Sequence, residues 1–135
     1  MKQSDTIGQL GLLISNCINK GGTVFFFGNG GSAADAQHIS AELVGKYQKK
    51  RKGLPSLAFT TNTSILTAIG NDFGYDFVFE RQVESMVRPD DLVVGISTSG
   101  NSPDVINGLI LAKKIGAKTI GLTGEKGGKL PKFLI

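Results

Sequence analysis

The sequence predicts an α/β fold: a doubly wound parallel sheet with helices on both faces, three layers in all. Three observations carry that expectation. Helical and extended patterns alternate along the chain, the signature of strand–helix–strand units. The extended segments are continuous apolar runs, as in Val24-Phe25-Phe26-Phe27, which is how strands covered on both faces read. Each of them is followed by a polar segment, three of the four glycine-containing. With 135 residues and no internal composition break, the expectation is one domain over residues 1–135.

The elements follow in order. From Thr6 to Lys20, residues Ile7, Leu10, Leu13, Ile14, Cys17 and Ile18 recur at three- and four-residue spacings, the stripe of an amphipathic helix, and Gly21-Gly22 stops it. Thr23 to Phe27 is the first strand. The loop GNGGS (Gly28 to Ser32) leads into a helix from Ala33 to about Lys49, with Ser32 and Asp35 as a capping pair. Leu57 to Thr61 is the second strand, Ser64 to Ile69 a short helix ending near Gly70, and Asp76 to about Met86 another helix. Leu92 to Ser97 is the third strand. Pro103 to Ile115 is a helix with proline in its first turn and Gly116 after its end. Thr119 to Thr123 is the fourth strand. The segments GNGGS, TTNTS, STSGNS and TGEKGG therefore crowd one edge of the sheet, where ligands bind in folds of this class.

Composition narrows the function. Hydrophobic residues make up 40% and charged residues 19%, so the chain is neither disordered nor a coiled coil. Glycine, at 19 of 135, is about twice its usual ~7% and falls in turns between apolar runs. One cysteine, Cys17, excludes a disulfide framework and a cysteine-based zinc knuckle, and reads as a small core residue. No apolar stretch approaches the ~20 residues of a membrane span, and Met1-Lys2 opens on polar residues with no signal-peptide core. The expectation is a soluble, cytoplasmic protein away from the membrane. The net charge of +4 suits an anionic ligand. The run Lys49-Lys50-Arg51-Lys52 reads as a solvated helix end, and without aromatic interleaving or a longer basic stripe no nucleic-acid partner is expected.

Four constellations carry chemistry. Ser97, Thr98, Ser99 and Ser102 surround Gly100 at the start of the Pro103 helix, with Ser102 placed as its cap. Unpaired N–H groups and the positive end of a helix dipole attract an anion there, and the hydroxyls donate to phosphate oxygens. This is a phosphate cradle without lysine, suited to a phosphomonoester; a serine-rich capped turn without ligand is the alternative. Gly28, Gly30 and Ala33 satisfy half of the dinucleotide fingerprint, but the second strand ends Thr60-Thr61-Asn62 instead of on an acidic residue, so a nicotinamide cofactor is discounted. Asn29, Gly30 and Gly31 are then either ligand-facing or a turn built for geometry. His38 and Glu42 are four apart on one helix face, suited to a shared divalent metal or a general base, or else simply a solvated pair. Asn71-Asp72 beside Gly70 is a turn former that could present polar groups to substrate hydroxyls.

Together, GNGGSAADAQHISAEL, AIGNDFGYDFVFERQVE, DLVVGISTSGNSPDVI and GLTGEKGGKL resemble the phosphoheptose isomerases (sedoheptulose 7-phosphate isomerases) of the sugar isomerase (SIS) superfamily. The likeness runs from about residue 20 to about residue 130, with the blocks in the family's order. It implies the SIS-type, flavodoxin-like three-layer fold, here cut short after the fourth strand and with a shortened N-terminal helix. It implies an enzyme, a homotetramer with active sites between subunits, that converts sedoheptulose 7-phosphate to D-glycero-D-manno-heptose 7-phosphate for ADP-heptose and lipopolysaccharide core. By the same resemblance, Ser97, Thr98, Ser99 and Ser102 match the phosphate-binding hydroxyls. Asn29, Gly30, Gly31 and Ser32 match the substrate-contacting loop, and Asn71 and Asp72 the sugar contacts. Glu42 matches the catalytic base, and His38 with Glu42 match two ligands of a zinc ion. The family's remaining zinc ligands and second acid–base group, a Gln and a His on a later helix, have no match in this chain. Impaired turnover and an association-prone sheet edge are therefore expected of it alone.

The reading makes one spatial commitment: a phosphorylated sugar lies along one rim, its phosphate on residues 97–102 and its first two carbons under the Glu42 carboxylate, from the same chain or a neighbouring copy. The competing readings are a non-catalytic sugar-phosphate-binding domain with a regulatory role and a protein-interaction module.

Overall fold

The computed structural model describes residues 3–45 and 51–124. The elements are α1 (Gln3–Asn19), β1 (Val24–Gly28), α2 (Gly31–Val44), β2 (Ser56–Ala58), α3 (Thr63–Phe73), a 3-10 turn (Tyr75–Phe77), α4 (Val78–Met86), β3 (Leu92–Ser97), α5 (Pro103–Ile115) and β4 (Lys118–Thr123). All strand pairs are parallel, in the order β2-β1-β3-β4, so β2 and β4 are the outer strands of the described sheet.

Successive strand residues point to opposite faces, and this divides the core in two. Phe25, Phe27 and Val93 face one way and pack with Phe59, Phe79, Val83, Val105 and Leu109 from the β2–α3 link, α4 and α5. Val24, Phe26, Leu92, Val94 and Ile96 face the other way, against Cys17 of α1 and Ala36 of α2, with Leu13, Ile14 and Ile39 alongside. The Phe25 and Phe59 rings stack at 4.9 Å and those of Phe27 and Phe79 at 4.8 Å. Full burial of such a side chain contributes roughly 1.5–3 kcal/mol. The three-layer expectation holds, and Cys17 is a buried core residue, 3.5 Å from the Thr23 carbonyl oxygen.

Three local expectations are corrected. First, α3 runs through Gly70 to Phe73. Its stop is Gly74, at φ +104°, whose N–H donates to the carbonyls of Ile69 and Gly70. Asn71 and Asp72 are therefore helical, not a turn. Second, Ser32 and Asp35 form no capping pair: Gly30 (φ +56°) is the cap residue of α2 and Ser32 lies inside the helix. Third, β2 closes at Ala58, after which Asn62 caps α3 by accepting from the Ile65 N–H at 3.0 Å. No helix among the described residues is long and apolar enough to cross a membrane.

The register fixes the rim. Gly28 pairs with Ile96, and Ser97 with Thr123, so β1, β3 and β4 end nearly level. The glycine loop and the hydroxyl loop are neighbours as a result. Gly124 joins them, its N–H donating to the Thr98 carbonyl at 3.0 Å. The rest of the expected TGEKGG loop, like Lys49 and Lys50 of the basic run, lies outside the described residues.

Candidate functional site

The hydroxyl loop is organised around Ser97. Its side chain is buried, 2.9 Å from the Ser102 hydroxyl and 3.5 Å from that of Ser99, and it accepts the Gly100 N–H at 3.1 Å. Ser99 accepts from the Asn101 N–H at 3.1 Å. Gly100, at φ +72°, makes the turn that draws these groups together. Ser102 occupies the cap position of α5, yet its hydroxyl makes no capping bond and turns to Ser97 instead. The loop thus presents Thr98 and Ser99 to solvent, with Ser102 half-buried, at a helix N-terminus whose first donors attract an anion.

The glycine loop is bound to this cradle by one buried carboxyl. Asn29 donates from Nδ2 to Asp104 Oδ1 at 2.8 Å, and the Val105 N–H donates to the same oxygen at 2.9 Å. Asn29 Oδ1 accepts from the Tyr75 hydroxyl at 3.0 Å. Asp104 is 2% exposed, and its Oδ2 has no hydrogen-bond partner among the described residues. Burial pushes its pKa above the usual aspartate range, against the opposing pull of the Asn29 and backbone N–H bonds. Partial burial, then the nearby Asp104, likewise raises that of Tyr75. Gly28 is required beneath the loop: a Cβ there would stand 2.6 Å from the Ile96 carbonyl oxygen and 2.8 Å from Ser32 Cβ.

His38 and Glu42 do share a face of α2, with Nε2 and Oε1 2.8 Å apart. Glu42 is only partly buried: the adjacent Ala41 is exposed and the Glu42 side chain keeps 36% of its surface. The Ser40 hydroxyl is 2.8 Å from that of Ser56, which in turn donates to the Val24 carbonyl at 3.0 Å. Ser56 and Val24 open their strands. Arg51 donates to the carbonyls of Glu42 and Leu43 at 3.0 and 2.9 Å, fixing the end of the same helix. Glu42 thus stands by the sheet edge where strands begin, about 16 Å along α2 from Gly31 at 1.5 Å per residue. The hydroxyl loop stands at the edge where they end. One chain gathers Asn29, Gly30, Gly31, Ser32, Ser97, Thr98, Ser99 and Ser102 on one rim; Gln37, next to His38, reaches Thr60 after β2 at 2.9 Å, and Glu42 lies a further turn along α2 toward the strand starts.

Asn71 and Asp72 are exposed on the last turn of α3, with Asn71 Nδ2 donating to Asp72 Oδ1 at 3.2 Å. Tyr75, three residues on, brings this segment back to the rim through Asn29. A metal would find two donors in His38 and Glu42, but these are paired with each other. Among the described residues no group of three His, Cys, Asp or Glu could hold an ion.

Reading the sequence left Asp104 and Tyr75 without roles. Asp104 in a first helical turn looks like a dipole complement, and only the packing reveals a buried carboxyl bonded 75 residues back in the chain.

Known proteins resemble this arrangement over most of its length. The model of the SIS domain family matches residues 1–124. A probable phosphoheptose isomerase of Thermoplasma volcanium is 56% identical over 126 residues, covering 93% of this chain and 64% of its own. The phosphoheptose isomerase of Aliarcobacter butzleri is 60% identical over 113 residues, 84% of this chain and 60% of its own. The solved structure of a phosphoheptose isomerase from Neisseria gonorrhoeae superposes with a TM-score of 0.87 at 46% identity, over 94% of this chain and 66% of that one. The chain spans somewhat under two thirds of the length of these relatives. By its fold, its rim and these matches, it belongs to the SIS domain family.

Proposed function

We propose that the protein acts as an aldose–ketose isomerase on a phosphorylated seven-carbon sugar, converting sedoheptulose 7-phosphate to D-glycero-D-manno-heptose 7-phosphate. The observation that carries this reading is the rim itself. A hydroxyl cradle without lysine, at the start of α5, is joined through Asn29 and Asp104 to a glycine loop on the adjacent strand. Relatives named phosphoheptose isomerase support the choice of sugar.

The chemistry needs a proton taken from C1 of the ketose and returned to C2, with an enediol between. Glu42, as carboxylate, takes the carbon proton and gives it back to the neighbouring carbon. A second acid–base group moves the hydroxyl proton from O1 to O2. The cradle holds the phosphate and fixes the sugar's distance from the base. Since Glu42 and the cradle lie toward opposite edges of one chain, the base reaches the sugar from another copy in a homo-oligomer, a tetramer by resemblance. Phe73, Phe77 and Met86 leave apolar surface exposed on the α3–α4 side for such contacts. The product would feed ADP-heptose and lipopolysaccharide core synthesis in the cytoplasm. His38 and Glu42 would give a zinc ion two of its ligands, the others coming from outside the described residues.

The test incubates the protein with sedoheptulose 7-phosphate in heavy water, with and without added zinc, and follows the sugar by NMR. Aldose 7-phosphate carrying deuterium at C2 is expected, and its formation is lost in Glu42→Gln while sugar-phosphate binding persists. Tight binding with no isomerisation under any condition would instead favour a sugar-phosphate-binding regulatory domain.

A further inference from the structure

The Asn29 side chain is held at both ends. Its nitrogen donates to Asp104 and its oxygen accepts from Tyr75, at 2.8 and 3.0 Å. An ionised carboxylate only accepts hydrogen bonds, so it dictates which end of the amide faces it. The phenol hydroxyl adapts, since it donates or accepts. Asp104 therefore selects the amide orientation and Tyr75 completes it. The carboxyl is also 2% exposed, and Oδ2 lacks a partner among the described residues. A buried, half-satisfied carboxyl is costly to keep unless it does something for the fold or the site. Its one side-chain bond goes to the loop that faces the sugar. Its backbone belongs to the first turn of α5, directly after the phosphate cradle.

We propose that Asp104 is a positioning residue that orients the Asn29 amide toward the sugar, with Tyr75 closing the other end, and so couples the phosphate loop to the sugar-facing loop. This rests on the reading of Asn29 as a substrate contact. One of the two Asn29 amide protons is committed to Asp104, which leaves the second in a fixed direction for a sugar oxygen. Rotation of the amide would offer that oxygen a carbonyl instead, an acceptor where a donor is needed.

The experiment has two readouts. In the unliganded, 15N-labelled protein, the Asn29 side-chain amide resonances (identified by their loss in Asn29→Ala) are expected to move toward free-amide positions in Asp104→Ala. A smaller move is expected in Tyr75→Phe, a substitution at an exposed ring that leaves the core intact. Asp104→Asn, which keeps an accepting oxygen, recovers most of the parent signature. In calorimetry, Asp104→Ala raises the Kd for sedoheptulose 7-phosphate about tenfold, the loss of one hydrogen bond to a charged group. In an Asn29→Ala background the same change shifts Kd less than about twofold. Asn29 resonances that ignore both Asp104→Ala and Tyr75→Phe overturn the proposal, as does an equal Kd shift in both backgrounds. If the parent protein does not bind the sugar phosphate, the isomerase reading fails, and the amide resonances alone decide the positioning role.

Discussion

The Ser40 and Ser56 hydroxyls meet at 2.8 Å beside the first residue of β1, at the opposite edge of the sheet from the Ser97–Ser102 pair. This contact pins the second half of α2 away from the rim and carries Glu42 with it. If Glu42 is the base and the hydroxyl loop the phosphate site, as proposed, this arrangement calls for two copies of the chain to serve one sugar.

Subunit mixing therefore gives a sharp expectation. Glu42→Gln chains and Ser99→Ala plus Ser102→Ala chains are each strongly impaired alone. When equal amounts are unfolded and refolded together, roughly a quarter of the sites combine an intact Glu42 from one copy with an intact cradle from another, for random assembly of symmetric oligomers. Activity recovers to about that fraction of the parent's. No recovery beyond the sum of the two separate variants would place base and cradle in the same chain.

The cradle itself is tested by ligand choice. Thr98 and Ser99 are exposed and Ser102 half-buried, while Ser97 is spent on holding the others. Replacing Ser99 and Ser102 by alanine removes two donors to a dianion, each worth about 1.5–3 kcal/mol when the partner is charged. Calorimetry should show binding of sedoheptulose 7-phosphate falling about a hundredfold or more, with unphosphorylated sedoheptulose unchanged. Equal loss for both sugars would mean that the loop had collapsed and no phosphate contact had been isolated.

Much of the frame was legible because its signals are local. The apolar run of β3, Pro103 at the first turn of α5 and Gly116 after it mark their elements at the bounds the structure has. Gly70 misled because glycine inside a helix costs only about 1 kcal/mol, whereas the left-handed Gly74 is the true stop. Ser102 misled because a cap position does not oblige its hydroxyl to cap, and here it pairs with the Ser97 hydroxyl instead. The site was legible as residue types but not as distances. Asn29 with Asp104, and Ser40 with Ser56, are pairings that strand order creates, and no spacing along the chain announces them.

Gly28 offers a stability test at the base of the glycine loop. The obstacles to a methyl group there are the Ile96 carbonyl oxygen and Ser32 Cβ, one of them backbone and neither a flexible side-chain end. Gly28→Ala should therefore force β1 and β3 apart where both loops begin, at about 1–3 kcal/mol for overpacking. For a domain of this size that is a fall in Tm of several degrees. Gly30→Ala meets no neighbour, and the positive φ alone costs it. At φ +56° and ψ −120°, a backbone that L residues avoid, it should cost a comparable amount, about 1–3 kcal/mol, from strain alone, and an unchanged Tm in Gly28→Ala would refute the packing argument.

The carboxyl of Asp104 makes stability depend on pH in a direction opposite to that of a paired surface aspartate. Burial raises its pKa in the fold, so the fold binds this proton more tightly than the unfolded chain does. Its contribution is therefore present in full below the ordinary aspartate value of about 3.9 and is lost as pH rises through the higher folded value. Asp104→Asn cannot ionise and escapes that loss. Denaturant unfolding of parent and variant at steps from about pH 4 to pH 7 should show the difference between them moving in the variant's favour as pH rises, then levelling off once the parent carboxyl is fully ionised. A difference that is flat across the range would mean that Asp104 titrates as it does in the unfolded chain. A difference moving the other way would mean that the Asn29 and Val105 N–H bonds outweigh desolvation, and that the ionised carboxylate is the favoured form in the fold.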